Sequence, residues 1–407
     1  MRGLYVHVPF CAIKCFYCDF TAFAGQGGSV KRYLNALRLE AARHARARAA
    51  SDPRRFVHTL YIGGGTPSEL SSAELEELFG VVSEYFGPLE GFSESTFEAN
   101  PESLTPDRLE VLARAGIGRL SLGLQTMEPR LLKIVGRRHG PEDFLRVFRQ
   151  ARERGFSLNV DLMYALPTQT LPEALSSLDA VLGLEPDHIS LYGLQVEDRT
   201  LFGKREVEVD EDLAREMFEA SLDRLRGAGF THYEISNFAR PGRESAHNMI
   251  YWRNGEYVGL GCGASGHLDG IRYCNLDRLA DYCRALEEGK SPVAESESLR
   301  GRERLGETLL LGLRVLSGVE LTPESEAAFG EAIERLSAQG LIEVAGAGRG
   351  ISARHRGQGG TTSSRDAGPA IARPRAMCLT RSGVFLANRV FEEFVPPFRA
   401  ARPEIAA

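Results

Sequence analysis

The chain has 407 residues, 43% of them apolar and 26% charged, with a formal net charge of −6. These are ordinary values for a soluble globular protein with room for one large domain and a smaller one. The mild acidity argues against a general nucleic-acid binder, and no apolar run approaches the roughly 20 residues of a membrane span.

The N-terminus, Leu4-Tyr5-Val6-His7-Val8, alternates like a strand and does not read as a signal peptide. It opens a series of six β-rich segments: Leu4–Phe10, Thr59–Gly64, Ser95–Ala99, Arg119–Gln125, Leu158–Leu166 and His188–Val196. Helical patterns separate them. Ser71-Ser72-Ala73-Glu74 is a capping box, followed by Leu75, Leu78, Phe79, Val82 and Phe86 on one face. Thr105-Pro106 starts the next helix and Gly116 suits its stop. Pro141 and Gly155 bracket a third, with Phe144, Val147, Phe148 and Ala151 on its apolar side. Strands alternating with helices imply parallel βαβ units, and six of them predict an α/β fold built on a partial (β/α)6 barrel.

The second half changes character. Residues 230–290 are rich in Gly, Tyr, His and Asn, and residues 230–299 are expected to form an α/β extension to the barrel of residues 1–229. From Arg302 a helical pattern resumes through Leu305, Leu309, Leu310, Leu313 and Leu316, and Thr322-Pro323 starts another helix. Short strands are expected at Leu341–Val344 and Met377–Thr380, then a helix over Val384–Phe394. Residues 300–344 and 377–396 thus read as a winged-helix-like module. Between them, residues 345–376 hold seven Gly and six Arg against one acidic residue, Asp366, a net charge of about +5. That composition predicts a disordered basic insertion, a solvated linker or a contact for an acidic partner or membrane surface.

In parallel α/β folds the chemistry sits at the carboxyl ends of the strands. Cys11 follows the first strand, Gly63-Gly64-Gly65-Thr66-Pro67 ends the second, and Glu98-Ala99-Asn100-Pro101 ends the third. Gln125 ends the fourth and Asp161 lies in the fifth. Cys11-x-x-x-Cys15-x-x-Cys18 places three soft thiolates within eight residues, a donor set suited to an iron–sulfur cluster or to zinc. A closed zinc site wants a fourth ligand, and none stands nearby except His7 upstream. Three thiolates on a four-iron cluster leave one iron open. The other four of the seven cysteines (Cys262, Cys274, Cys283, Cys378) are scattered, so no disulfide framework is expected and a reducing cytoplasm fits best.

Cys11-Ala12-Ile13-Lys14-Cys15-Phe16-Tyr17-Cys18 resembles the signature of the radical S-adenosylmethionine superfamily. The strand-end runs just quoted, with Ser121–Gln125, Asp161–Pro167 and His247–Trp252, resemble one branch of it, which contains the anaerobic coproporphyrinogen III oxidases and the HemW heme chaperones. The resemblance implies a [4Fe–4S] cluster on Cys11, Cys15 and Cys18. It also implies S-adenosyl-L-methionine at the open iron, cleaved reductively to a 5′-deoxyadenosyl radical with electrons from a separate donor. It assigns the cofactor's surroundings to Tyr5, Tyr17, Gly64, Gly65, Thr66, Glu98, Gln125, Arg137 and Asp161. The glycines let backbone approach the methionine, Glu98 accepts from ribose or amino group, and Arg137 pairs with the carboxylate as a fixed fork.

Within the branch, the oxidases carry a further cysteine two residues after the third ligand, where this chain has Phe20. They also have an N-terminal extension. Both differences point to the HemW group, hence to a heme chaperone passing heme to recipient hemoproteins; oxygen-independent coproporphyrinogen III oxidation is the alternative. His247-Asn248-x-x-Tyr251-Trp252 resembles that group's heme-associated motif, with His247 as an axial ligand and Tyr251 and Trp252 stacking on the porphyrin. Ser265 stands where relatives commonly carry a histidine, and His267 follows two residues later.

Overall fold

A computed structural model describes residues 1–49, 57–345 and 375–398. The six expected strands are present: β1 (Arg2–Val8), β2 (Thr59–Gly64), β3 (Glu94–Ala99), β4 (Arg119–Gln125), β5 (Ser157–Tyr164) and β6 (His188–Gly193). They pair in that order, all parallel. Intervening helices include α1 (Val30–Ala49), α2 (Ser72–Phe86), α3 (Pro106–Arg114) and α4 (Pro141–Glu153). Ser71 forms both halves of the expected capping box: its side chain accepts from Glu74 N, and Glu74 accepts from its N–H at 2.8 Å. Phe144, Val147, Phe148 and Ala151 of α4 are all buried.

The sheet is twice as wide as the six units. Further strands are β7 (Thr231–Glu234), β8 (Asn237–Ala239), β9 (Glu256–Leu260), β10 (Ser265–Leu268), β11 (Ile271–Asn275) and β12 (Val293–Glu297). The order is β12-β11-β10-β9-β1-β2-β3-β4-β5-β6-β8-β7. β9 lies parallel to β1, and β8 returns antiparallel to β6. These additions are only three to five residues long, so alternation alone carries little signal for them.

Strand alternation sets the character of the interior. Leu120, Leu122 and Leu124 of β4, and Leu158, Val160 and Leu162 of β5, point outward and are buried under helices. The opposite face presents Tyr5, Thr59, Tyr61, Glu98, Arg119, Ser121, Asn159 and Asp161. An eight-stranded barrel packs apolar layers inside; this open one keeps a polar interior. Tyr5, Tyr61, Glu98 and Asp161 stay partly exposed there, whereas Thr59, Arg119, Ser121 and Asn159 are buried.

The chain divides into two compact units. The second comprises Tyr233–Ile235, Trp252–Asn254 and the chain from Leu299 on. In it, β13 (Val319–Glu320), β14 (Ile342–Ala345) and β15 (Ala376–Leu379) form a three-stranded antiparallel sheet ordered β13-β15-β14, with helices over Gly301–Leu313 and Pro323–Ala338. The single helix expected over Val384–Phe394 is instead two short ones, Arg381–Phe385 and Ala387–Phe391, followed by a 3-10 turn. Leu386, at φ −101° and ψ 27°, leaves helical geometry and breaks it. The basic insertion expected at 345–376 lies outside the described residues except at its ends. Among the described residues no helix is long and apolar enough to cross a membrane.

Candidate functional site

The cysteine loop leaves β1 at the carboxyl rim and is tied down on both sides. Phe10–Cys11 pairs in parallel with Phe23–Ala24. Phe16 N–H donates to Val135 O at 3.2 Å, and Phe202 N–H donates to Phe16 O at 2.9 Å. His7 Nε2 bonds Thr21 O at 2.7 Å. The three thiols are half-buried. Burial pushes Cys11 up to about 11, against the hydrogen bond from Thr66, and pushes Cys18 up as well. Metal binding would have to supply the energy to deprotonate them.

A chain of side chains leads away from the thiols along the rim. Cys11 Sγ lies 3.4 Å from Thr66 Oγ1. Asn100 Nδ2 donates to that hydroxyl at 3.2 Å, and Arg137 Nη1 donates to Asn100 Oδ1 at 2.7 Å. Burial works against the charge on Arg137, but Tyr17, Cys15, Glu102 and Asp161 around it more than offset this. The Arg137 Nε is buried with no hydrogen-bond partner. Gly123 makes room for this arrangement, since a Cβ there would stand 2.9 Å from Arg137 Nη2. His139, bonded to Glu102 at 3.0 Å and to Leu124 O at 3.1 Å, anchors the same segment. Asn100 has no signal in the sequence beyond standing in the Glu98–Pro101 run.

Glu98 heads a second group. It accepts from Tyr61 Oη at 2.6 Å and from Gly64 N at 3.1 Å. Burial pushes it up to about 7 against these two donors, and Asp161 adds to the rise. Tyr5 Oη bonds His7 Nδ1 at 2.9 Å, with its ring 6.2 Å from that of Tyr61. Gln125 sits where the β4–β5 pairing shifts register, at φ +74°. Such a bulge with a strained non-glycine residue re-aims a side chain at a rim. Asp161, nearer the rim in register, accepts from Ser121 Oγ at 3.2 Å and from Asn159 Nδ2 at 2.7 Å. Tyr17 packs against the apolar cluster of Leu131, Val135 and Met163.

Gly64 has φ +112°, and a Cβ there would stand 2.6 Å from the His7 ring. Gly64→Ala is therefore expected to lower stability by about 2 kcal/mol or more, from backbone strain plus overpacking. Chemical denaturation checks this, and an unchanged midpoint would show that the turn does not need glycine.

The heme-ligand role expected for His247 does not fit its surroundings. The residue is 0% exposed. Its Nδ1 bonds Thr59 Oγ1 at 2.8 Å and its Nε2 bonds Tyr251 Oη at 2.7 Å, so both ring nitrogens are taken. Burial pushes its pKa down to about 3. Glu94 accepts from the N–H groups of Ala246 and His247 and fixes the helix Ala246–Trp252 against the strand starts. Trp252 belongs to the second unit, where the Arg314 guanidinium lies 4.3 Å from its ring centre. The motif is legible in sequence, but its His247 and Tyr251 bond each other.

Among the described residues, no three His, Cys, Asp or Glu side chains stand close enough together to hold one metal ion. Thiolates that ligate separate irons of one cluster stand further apart than the ligands of a single closed zinc.

Residues 5–181 match the Radical SAM superfamily. A heme chaperone HemW of Bacillus subtilis is 35% identical over 402 residues, covering 97% of this chain and 99% of that protein. This chain belongs to the HemW group of the radical SAM superfamily. A heme chaperone HemW of Escherichia coli is 42% identical over 271 residues, covering 65% of this chain and 69% of its own length. Among solved structures, the coproporphyrinogen III oxidase HemN of Escherichia coli, a radical SAM enzyme, superposes with a TM-score of 0.78 at 22% identity, over 97% of this chain and 90% of that one. The fold is therefore shared with an oxidase, while the sequence sides with the chaperones.

Proposed function

We propose that this protein is a cytoplasmic heme chaperone that holds a [4Fe–4S] cluster on Cys11, Cys15 and Cys18, takes S-adenosyl-L-methionine at the open iron, and passes heme to recipient hemoproteins. The observation that carries the reading is the likeness to a heme chaperone HemW along 97% of the chain. The donor set agrees with it: three half-buried thiols on one anchored loop, beside a buried guanidinium nitrogen that lacks a partner. When bound, cluster and cofactor together supply reductive cleavage of a carbon–sulfur bond, fed by an electron donor.

The chain's own residues have separable tasks. Gly64 and Gly65 present backbone to the methionine part, with the Thr66 hydroxyl beside them. Arg137 offers its fork to the cofactor carboxylate, held in place by Asn100. Glu98 accepts from the ribose or amino group, with Tyr61 and Gly64 fixing its oxygens. Gln125 and Asp161 close the far side, and Tyr5 and Tyr17 wall off water. Phe20, at the position of the oxidases' extra cysteine, is 63% exposed and forms an apolar lip beside the cluster loop.

The test is anaerobic reconstitution followed by heme titration and an oxidase assay. Stoichiometric heme binding with no turnover of coproporphyrinogen III to protoporphyrinogen IX is expected. Steady turnover would sink the chaperone reading. His247→Ala is expected to bind heme as the wild type does, because the ring is enclosed.

A further inference from the structure

Below the rim, the barrel interior carries a cation whose Nε has no hydrogen-bond partner. Arg119 opens β4 and is 6% exposed. Alternation puts it on the inward face with Ser121 and Gly123. Its charge acts on Tyr61 of β2, Glu98 of β3, Asp161 of β5 and His188 of β6. A guanidinium felt by strands on both sides reaches into the middle of the interior.

Its hydrogen-bonding capacity is unused. The Arg119 Nε is buried with no partner, and among the described residues no ion pair joins Arg119 to Glu98 or Asp161. Both acids are occupied: Glu98 by Tyr61 and Gly64, Asp161 by Ser121 and Asn159. In the β3–β4 register Thr96 stands opposite Arg119. Its Oγ1 is likewise buried without a partner. Two donors on adjacent strands are thus desolvated and idle. A structural arginine would be paired, because an unpaired buried charge is costly; a binding residue is held ready for its ligand at that cost.

We infer that Arg119 and Thr96 form a binding site for a carboxylate group, carried by a ligand that enters the barrel interior from the rim. The guanidinium suits a carboxylate bidentately, and the threonine hydroxyl adds a third bond. Access is present, since Tyr5 and Tyr61, level with it in register, and Glu98 and Asp161, nearer the rim, are all partly exposed. The two nearby acids do not bar an anion, because both are engaged by other donors, Glu98 by Tyr61 and Gly64 and Asp161 by Ser121 and Asn159. The carboxylate is either a side chain of heme, which rests on the chaperone reading, or belongs to a free small acid.

Three probes separate these sources: hemin, its dimethyl ester and propionate, each added to the reconstituted full chain. If heme supplies the group, the wild type binds hemin about tenfold tighter than the ester, and Arg119→Met loses that preference. If a free acid supplies it, propionate raises the unfolding temperature of the wild type but not of Arg119→Met. In both cases Arg119→Lys keeps part of the effect. Protection by propionate without any heme binding would leave this site standing and remove the chaperone reading. A wild type that neither distinguishes hemin from its ester nor responds to propionate holds only water there, and the inference is overturned. It is equally overturned if Arg119→Met is destabilised while keeping the wild-type response, which would make Arg119 an internal counter-ion.

Discussion

Replacing any one of Cys11, Cys15 and Cys18 by alanine is expected to abolish the iron–sulfur cluster while leaving the fold in place. Each thiolate would ligate a different iron, so no remaining side chain can substitute for a lost one. Among the described residues no further Cys, His, Asp or Glu completes a group of metal ligands at this loop. The fold should survive because all three are half-buried loop residues, and the loop is pinned by backbone bonds from Phe16 and Phe23. Anaerobic iron and sulfide analysis with visible absorbance checks the loss, and chemical denaturation of the metal-free chain checks the fold. A triple-alanine variant that kept wild-type iron content would overturn the assignment of the cluster to this loop.

In the metal-free chain, two buried acids are expected to contribute stability that is lost as pH rises from about 4.5 to about 7, against the buried His7, His188 and His247, whose lowered pKa values act in the opposite sense. Two acids are responsible, Glu40 and Glu98, each pushed up by burial to about 7 from the 4.5 of a free carboxyl. In that window the unfolded chain has given up both protons while the folded chain still holds them. At these two sites the folded state therefore binds more protons, and their share of the stability falls with pH until the folded groups ionise. Glu40 is 0% exposed and accepts from Gly261 N at 2.8 Å, Asn275 Nδ2 at 2.6 Å and Tyr282 Oη at 2.6 Å. Its share is at most about 3 kcal/mol. Glu98 contributes less, since its side chain borders the open interior. Denaturation midpoints from pH 4.5 to 8 are compared between wild type and Glu40→Gln, and the difference between the two is expected to change with pH across that window. An unchanged slope in that variant would acquit Glu40.

Glu40 also shows why some of the molecule was not legible beforehand. In sequence it is one acidic residue in an ordinary amphipathic helix. Only the packing of that helix against Gly261, Asn275 and Tyr282, more than 200 residues away, makes it a buried acceptor. Tyr61 and Arg119 are similar: each is a polar residue in a strand whose two faces are both covered, which alternation alone does not signal. The extra strands at both edges of the sheet escaped for another reason, being only three to five residues long.

What the sequence determined by itself was chemistry and local geometry. Thiolates three and four residues apart, a Ser-x-x-Glu box, prolines at helix starts and glycines at strand ends act over a single turn, so their meaning does not depend on the rest of the chain. What only the tertiary structure decided was which polar atoms remain available. His247 carries the right ring for a heme ligand, yet Thr59 and Tyr251 occupy both its nitrogens. Arg119, without any motif, keeps a guanidinium nitrogen unpartnered inside the barrel. Availability is a property of burial and of partners brought from distant strands, and residue identity does not encode it.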